Sequence, residues 1–213
     1  MNTEQIDQYI EQNKDRFLEE LLALLRIQSI SALEEHKDDV HKAAAYIRDR
    51  LVEAGVDKAE LHETSGHPIV YGEKMIDSKL PTVLVYGHYD VQPPDPLDEW
   101  NSPPFEPTVR DGNIVARGAT DDKGQMLTHI KSTQAWMETV GSLPVQLKFL
   151  IEGEEEVGSE SLYTLLENEA NKLACDIVVV SDTSQFAPGK PAITYGLKGI
   201  AYFELRLKGP KQD

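Results

Sequence analysis

Carboxylates and one histidine recur in this sequence where strands should end. Tyr86-Gly87-His88-Tyr89-Asp90 follows the apolar run Val83-Leu84-Val85, and Asp121-Asp122-Lys123-Gly124 opens a helical stretch. Glu154-Glu155-Glu156 follows Leu147 to Ile151, and Ser181-Asp182 follows Ile177 to Val180. In an open α/β sheet, ligands bind at the carboxyl ends of the strands. Acidic and imidazole groups gathered there, with no matching cluster of Lys or Arg, call for a cation. A cation held among carboxylates suits metal-assisted hydrolysis.

Each cluster alone has a plain structural explanation. His88 and Asp90 are two apart, so on a continuing strand both face one way. That suits an imidazole on a metal with a carboxylate against its other nitrogen, but also a histidine satisfied by a neighbouring aspartate. Asp121 and Asp122 are adjacent; one can be a ligand while the other caps the following helix, or both can sit at a helix N-terminus, where carboxylates are favoured anyway. In Glu154-Glu155-Glu156, one carboxylate can bind a metal while another takes a proton from the attacking water; most acidic runs are simply solvated. Asp182 alone reads as a turn residue. All four at strand ends, with hard oxygen and imidazole donors, form a set that suits zinc, manganese or cobalt.

The elements that must carry these groups follow from periodicity. Residues 3–26 form an amphipathic helix on Ile6, Ile10, Phe17, Leu21, Leu24 and Leu25. A second helix, from about 38 to 54, uses Val40, Ala44, Ile47 and Leu51 and stops at Gly55. Strands are expected near 59–63, 68–73 and 82–86. Six prolines between 91 and 107 (Pro93, Pro94, Pro96, Pro103, Pro104 and Pro107) make that stretch loop. Asp111-Gly112 is a hairpin turn between Thr108-Val109-Arg110 and Asn113-Ile114-Val115. A helix starts at Asp122, with Asp122 and Gln125 at capping-box spacing. Strand 145–151, helix 159–170 and strand 176–181 complete a βαβ alternation, so the fold is α/β with a mixed, mainly parallel sheet flanked by helices. From 202 to 207, Tyr-Phe-Glu-Leu-Arg-Leu alternates as a half-exposed strand would. With no partner strand after it, this reads as the opening of a second domain. The expected division is 1–196 and 197–213.

Bulk properties narrow the partners. A chain of 213 residues can bury a real core. The net charge of −16 argues against nucleic acid or an anionic membrane surface. There is no run of about 18 apolar residues, as a membrane-spanning helix requires, and Met1-Asn2-Thr3-Glu4-Gln5 lacks the pattern of a secretory leader. The single cysteine, Cys175, opens an apolar strand and reads as structural. The expectation is a soluble cytoplasmic protein.

Taken in order, the motifs Gly87-His88-Tyr89-Asp90-Val91-Gln92-Pro93, Trp100-Asn101-Ser102-Pro103-Pro104-Phe105, Gly118-Ala119-Thr120-Asp121-Asp122-Lys123-Gly124, Glu152-Gly153-Glu154-Glu155-Glu156-Val157-Gly158-Ser159 and Ser181-Asp182 resemble a co-catalytic metallopeptidase family. It is the family of carnosinase, cytosolic nonspecific dipeptidase, acetylornithine deacetylase and succinyl-diaminopimelate desuccinylase. The resemblance implies a zinc-peptidase-like fold and two divalent ions, zinc first, with manganese or cobalt as alternatives. It implies that His88 and Asp182 bind one ion, Glu156 the other, and Asp121 both. It makes Asp90 the support of His88 and Glu155 the general base, with a cis peptide between Asp121 and Asp122. An Asp at 182, with the Trp100–Phe105 loop, favours a dipeptidase acting on small peptides over an amide deacylase.

The family's second ion also takes a histidine late in a chain about twice this long. None of His36, His41, His62, His67 and His129 lies in a matching motif. The resemblance further implies a lid domain beginning near 197, through which the full-length protein forms a homodimer, and whose His-Ser-Gly motif supplies a partner's active site. The sequence therefore reads as the N-terminal half of a catalytic domain plus the first lid strand. By itself it is expected to be essentially inactive, which leaves a metal-binding fragment without catalysis as the competing reading.

Overall fold

The computed structural model describes residues 3–210. Strands β1 (Lys58–His62), β2 (Ile69–Lys74), β3 (Thr82–His88), β6 (Gln146–Glu152) and β7 (Ile177–Val180) build one five-stranded sheet in the order β1-β2-β6-β3-β7. β3 runs parallel to both β6 and β7, while β2 is antiparallel to β6 and to β1. β4 (Thr108–Arg110) and β5 (Asn113–Val115) form a separate hairpin. Its turn has Asp111 at φ 51° and Gly112 at φ 76°, the left-handed pair that a two-residue hairpin requires. The helices are α1 (Glu4–Leu25), α2 (Lys37–Glu53), α3 (Lys123–Val140), α4 (Glu160–Asn168) and α5 (Ala170–Leu173).

The central strands sort their side chains by parity. Val70, Val85, Phe149 and Ile151 face Leu24, Val40, Ala44, Ile47, Leu51, Met126 and Ile130 from α1, α2 and α3. Ile69, Tyr71, Leu84 and Leu150 face Leu162 and Leu173 from α4 and α5, with Cys175 packed against them, as a structural cysteine should be. β6 is buried at every position, as a strand covered on both faces must be. Its Lys148 is satisfied inside, donating to the carbonyls of Lys172 and Ala174 at 2.7 Å each. Lys123 is fully buried and donates to the carbonyls of Leu24 (3.3 Å) and Ile27 (2.8 Å). The first residue of α3 is thereby tied to backbone carbonyls at and just past the end of α1.

Three expectations are corrected. The Asp122–Gln125 capping box does not form: Asp122 Oδ2 accepts from the His88 amide (3.2 Å) and Gln125 Nε2 donates to Thr120 O (2.7 Å). The Asp122 carboxylate is turned to the strand end, with Oδ1 buried and without a hydrogen-bond partner among the described residues, rather than to the amides of its own helix. The helix expected over 159–170 is broken, with α4 ending at Asn168 and α5 starting at Ala170. The strand expected over 202–207 is not formed: residues 191–210 have no regular structure and are exposed. Without a partner, such a segment has nothing to fill its backbone hydrogen bonds. The chain divides into a compact unit ending at Asp182 and a second unit, Thr183–Asp213. No helix among the described residues is long and apolar enough to cross a membrane.

Candidate metal centre

Register brings the expected residues to one edge. In the parallel ladder His88 pairs with Glu152, so β3 and β6 end level. Tyr86 pairs with Val180 on the other side, and continuing that register brings Asp182 level with His88. The start of α3 closes against the strand at Gly87, where a Cβ would lie 2.7 Å from Asp122 Oδ2 and 3.0 Å from Met126 Cγ. Only glycine lets the aspartate pair approach so near.

His88 is completely buried, with its two ring nitrogens facing different groups. Nε2 lies 3.0 Å from Asp121 Oδ1 and 3.6 Å from Asp182 Oδ2. One donor atom from each of His88, Asp121 and Asp182 lies within 4.8 Å of the others. Nδ1 lies 3.1 Å from Asp90 O and 3.3 Å from Asp90 Oδ1. The Asp121–Asp122 peptide is cis, as expected. Asp121 turns outward, its side chain 62% exposed, while Asp122 is buried.

Asp90, also buried, does more than face the imidazole. Its Oδ2 accepts from Ser31 Oγ (2.6 Å) and from the Glu156 amide (3.1 Å), and its Oδ1 accepts from the Glu155 amide (3.3 Å). Glu155 and Glu156 open a short 3₁₀ turn, Glu155–Val157. Glu156 lies outside the three-donor group; Gln92 Nε2 donates to its Oε2 at 2.7 Å. On the far side, His129 Nε2 lies 2.6 Å from Ser181 Oγ, beside Asp182.

The electrostatics are those of a site short of positive charge. Burial alone would lower the His88 pKa, but the Asp90 carboxylate, with Asp122 and Glu155 nearby, raises it to about 10. Burial pushes Asp122 up to about 7, and burial is also the first cause raising Glu155 and Glu156. Negative charge on Asp121 adds to the shift of Glu156. Burial pulls Lys123 down to about 7. Among the described residues, the ion-pair partner of Asp121 and Asp182 is His88, and no Lys or Arg pairs with either. An imidazole nitrogen and two carboxylate oxygens converging without a counter-charge fit a divalent cation.

Glu154, Ser31, Gln92 and Lys123 escaped the sequence reading. Glu154 looked like one more member of an acidic run, yet it is buried. The signal that could have singled it out is its position directly before two residues with assigned roles, where a third solvated carboxylate adds nothing.

The fold is that of a metal-dependent peptidase lineage. The chain belongs to peptidase family M20/M25/M40, whose profile matches residues 84–206, and this bears out the resemblance seen in its motifs. The Cys-Gly metallodipeptidase dug1 of Schizosaccharomyces pombe is 36% identical over 225 residues, covering 100% of this chain and 47% of that protein. The Beta-Ala-His dipeptidase of Homo sapiens is 35% identical over 224 residues, covering 99% of this chain and 44% of that protein. Among solved structures, the di-peptidase Dug1p from Saccharomyces cerevisiae superposes with a TM-score of 0.79 at 30% identity, covering 86% of this chain and 42% of that one. Human carnosine dipeptidase 1 gives 0.78 at 33% identity, covering 84% and 41%. The chain spans about half the length of the curated relatives it matches.

Proposed function

We propose that this chain carries the metal-binding and proton-transfer half of an active site that hydrolyses the peptide bond of dipeptides or short peptides. The observation that carries the reading is the convergence of His88 Nε2 with the carboxylates of Asp121 and Asp182. His88, Asp121 and Asp182 hold one divalent ion, zinc by donor chemistry. Asp121, open on its outer side, and Glu156 contribute to a second. Bound there, such ions polarise the scissile carbonyl and make water acidic enough to attack near neutral pH.

The chain's own residues do the rest. Asp90 accepts from Nδ1 of His88, so that Nε2 is presented as the donor to the ion. Glu155 takes the proton of the attacking water and returns it to the leaving amine. Its raised pKa suits a group that must both accept and give back a proton. The substrate class rests on relatives named as dipeptidases and on Asp182 as the last ligand. One finer assignment rests on the resemblance alone: a homodimer formed through the segment after residue 196.

The test is Glu155→Gln in a chain extended to its relatives' length, assayed on a dipeptide panel with zinc or manganese. Turnover should fall about 10²–10⁴-fold with metal content unchanged. Metal lost together with activity would make Glu155 a ligand and sink the assignment. Preferential turnover of N-acylated amino acids would move the chain to the deacylases.

A further inference from the structure

Glu154 stands beside the proposed base, but its carboxylate is turned to the amides of His67 and Ser161. It is 8% exposed, and both carboxylate oxygens are used by backbone amides from separate segments. Oε1 accepts from the His67 amide (2.8 Å), and Oε2 accepts from the Ser161 amide in the first turn of α4 (2.9 Å). Its own carbonyl accepts from the amides of Val157 (3.1 Å) and Ser159 (2.8 Å). One residue thus closes the 3₁₀ turn that carries Glu155 and Glu156, caps α4, and ties both to the loop before β2. A solvated acidic run would show none of this.

The tie continues into the site. His67 Nε2 donates to Ser31 O (3.0 Å), and Ser31 Oγ donates to Asp90 Oδ2 (2.6 Å). Asp90 accepts from the amides of Glu155 and Glu156 and faces Nδ1 of His88. These bonds close a ring: Glu154, His67, Ser31, Asp90, the next two amides, and back to Glu154. Gly66 is shaped to it. A Cβ there would lie 1.5 Å from Glu154 Oε1, while Thr64 Oγ1 holds the loop by accepting from Gly66 N (3.1 Å) and donating to His67 O (2.7 Å).

The geometry points to Glu154 as a positioning residue: a clasp between residues 64–67 and the acidic turn that holds Asp90, and through it His88, in place. Its consequence for the ion rests on the metallopeptidase reading; the clasp itself does not.

Two substitutions strike the clasp from opposite sides. Glu154→Gln replaces one acceptor by an NH₂ that cannot accept. Gly66→Ala displaces the carboxylate, and the far end of a flexible side chain can move without unfolding the domain. In the 213-residue chain, amide hydrogen exchange should speed up roughly tenfold in both variants, at residues 63–68 and 153–161 together, since each loses bonds to a charged acceptor. Zinc affinity measured by calorimetry should weaken about tenfold or more, as it does when groups orienting a ligand are lost. Faster exchange only in the segment bearing the substitution, or zinc affinity within about twofold of the parent, would overturn the inference. A parent chain that binds no zinc would instead defeat the assignment of an ion to His88, Asp121 and Asp182, and exchange would still decide the clasp.

Discussion

The two edges of the main sheet are held very differently. β1 closes one edge with α2 packed against it, and four of its five residues are half-buried. Its Glu60 is paired by Lys58 at 2.8 Å and by Lys172 in α5. β7 closes the other edge with Ile177, Val178 and Val180 each more than half exposed. Beyond the ladder to β3, it is fixed by Asp176 accepting from the Thr82 amide (2.8 Å) and by the His129–Ser181 contact. The ligands of the candidate metal centre therefore start from unequal footing. His88 comes from the buried middle of the sheet and is braced by Asp90; Asp182 comes from the bare edge and is braced by little else.

Core substitutions should break this comparison most visibly. Phe149→Ala, on fully buried β6, should cost about 3–5 kcal/mol, while Val178→Ala on β7 should stay within about 0.5 kcal/mol. Urea unfolding of both variants checks this, and equal losses would mean that β7 is covered in solution. Next come the braces. Asp90→Asn should weaken zinc binding about 10–100-fold. Ser181→Ala removes one hydrogen bond worth about 0.5–1.5 kcal/mol and should weaken it less than Asp90→Asn does. The reverse ranking in a calorimetric titration would make Asp182 the better-held ligand.

The smallest effect belongs to the β1 edge. Burial opposes ionisation of Glu60, but hydrogen bonds from Lys172 and Lys58 prevail and hold its pKa at about 2, below the ordinary 4.5. Its folded pKa is the lower one, so its stabilisation is present above pH 4.5 and fades as pH falls towards 2. Glu60→Gln should flatten the acid side of the melting-temperature profile within that window, by no more than the ~1 kcal/mol of an exposed pair. An unaltered slope would show that this edge owes nothing to its ions.

Much of this was legible because it is local. β3, β6 and α1 announce themselves as apolar runs or stripes, and Asp111-Gly112 dictates its turn. The position of His88 and Asp182 at one edge followed from the apolar runs before them, and that of Asp121 from the helix it opens. What sequence hid was who competes for each polar group. Asp122 has the spacing of a cap, yet the His88 amide, 34 residues away, takes its carboxylate. Glu154 reads like its neighbours until His67, 87 residues distant, is seen bonded to it. Alternation over 202–207 reports a preference for strand, but a strand exists only where another backbone meets it.

Lys123 gives the site a chemical recorder. Its amine is sealed between the end of α1 and the turn bearing Asp121, so acylating or methylating reagents that mark surface lysines cannot reach it while that helix stays docked. Modification at Lys123 would thus count the moments when α1 lifts from the turn bearing Asp121, and an ion bound by Asp121 that tightens the turn would slow the count.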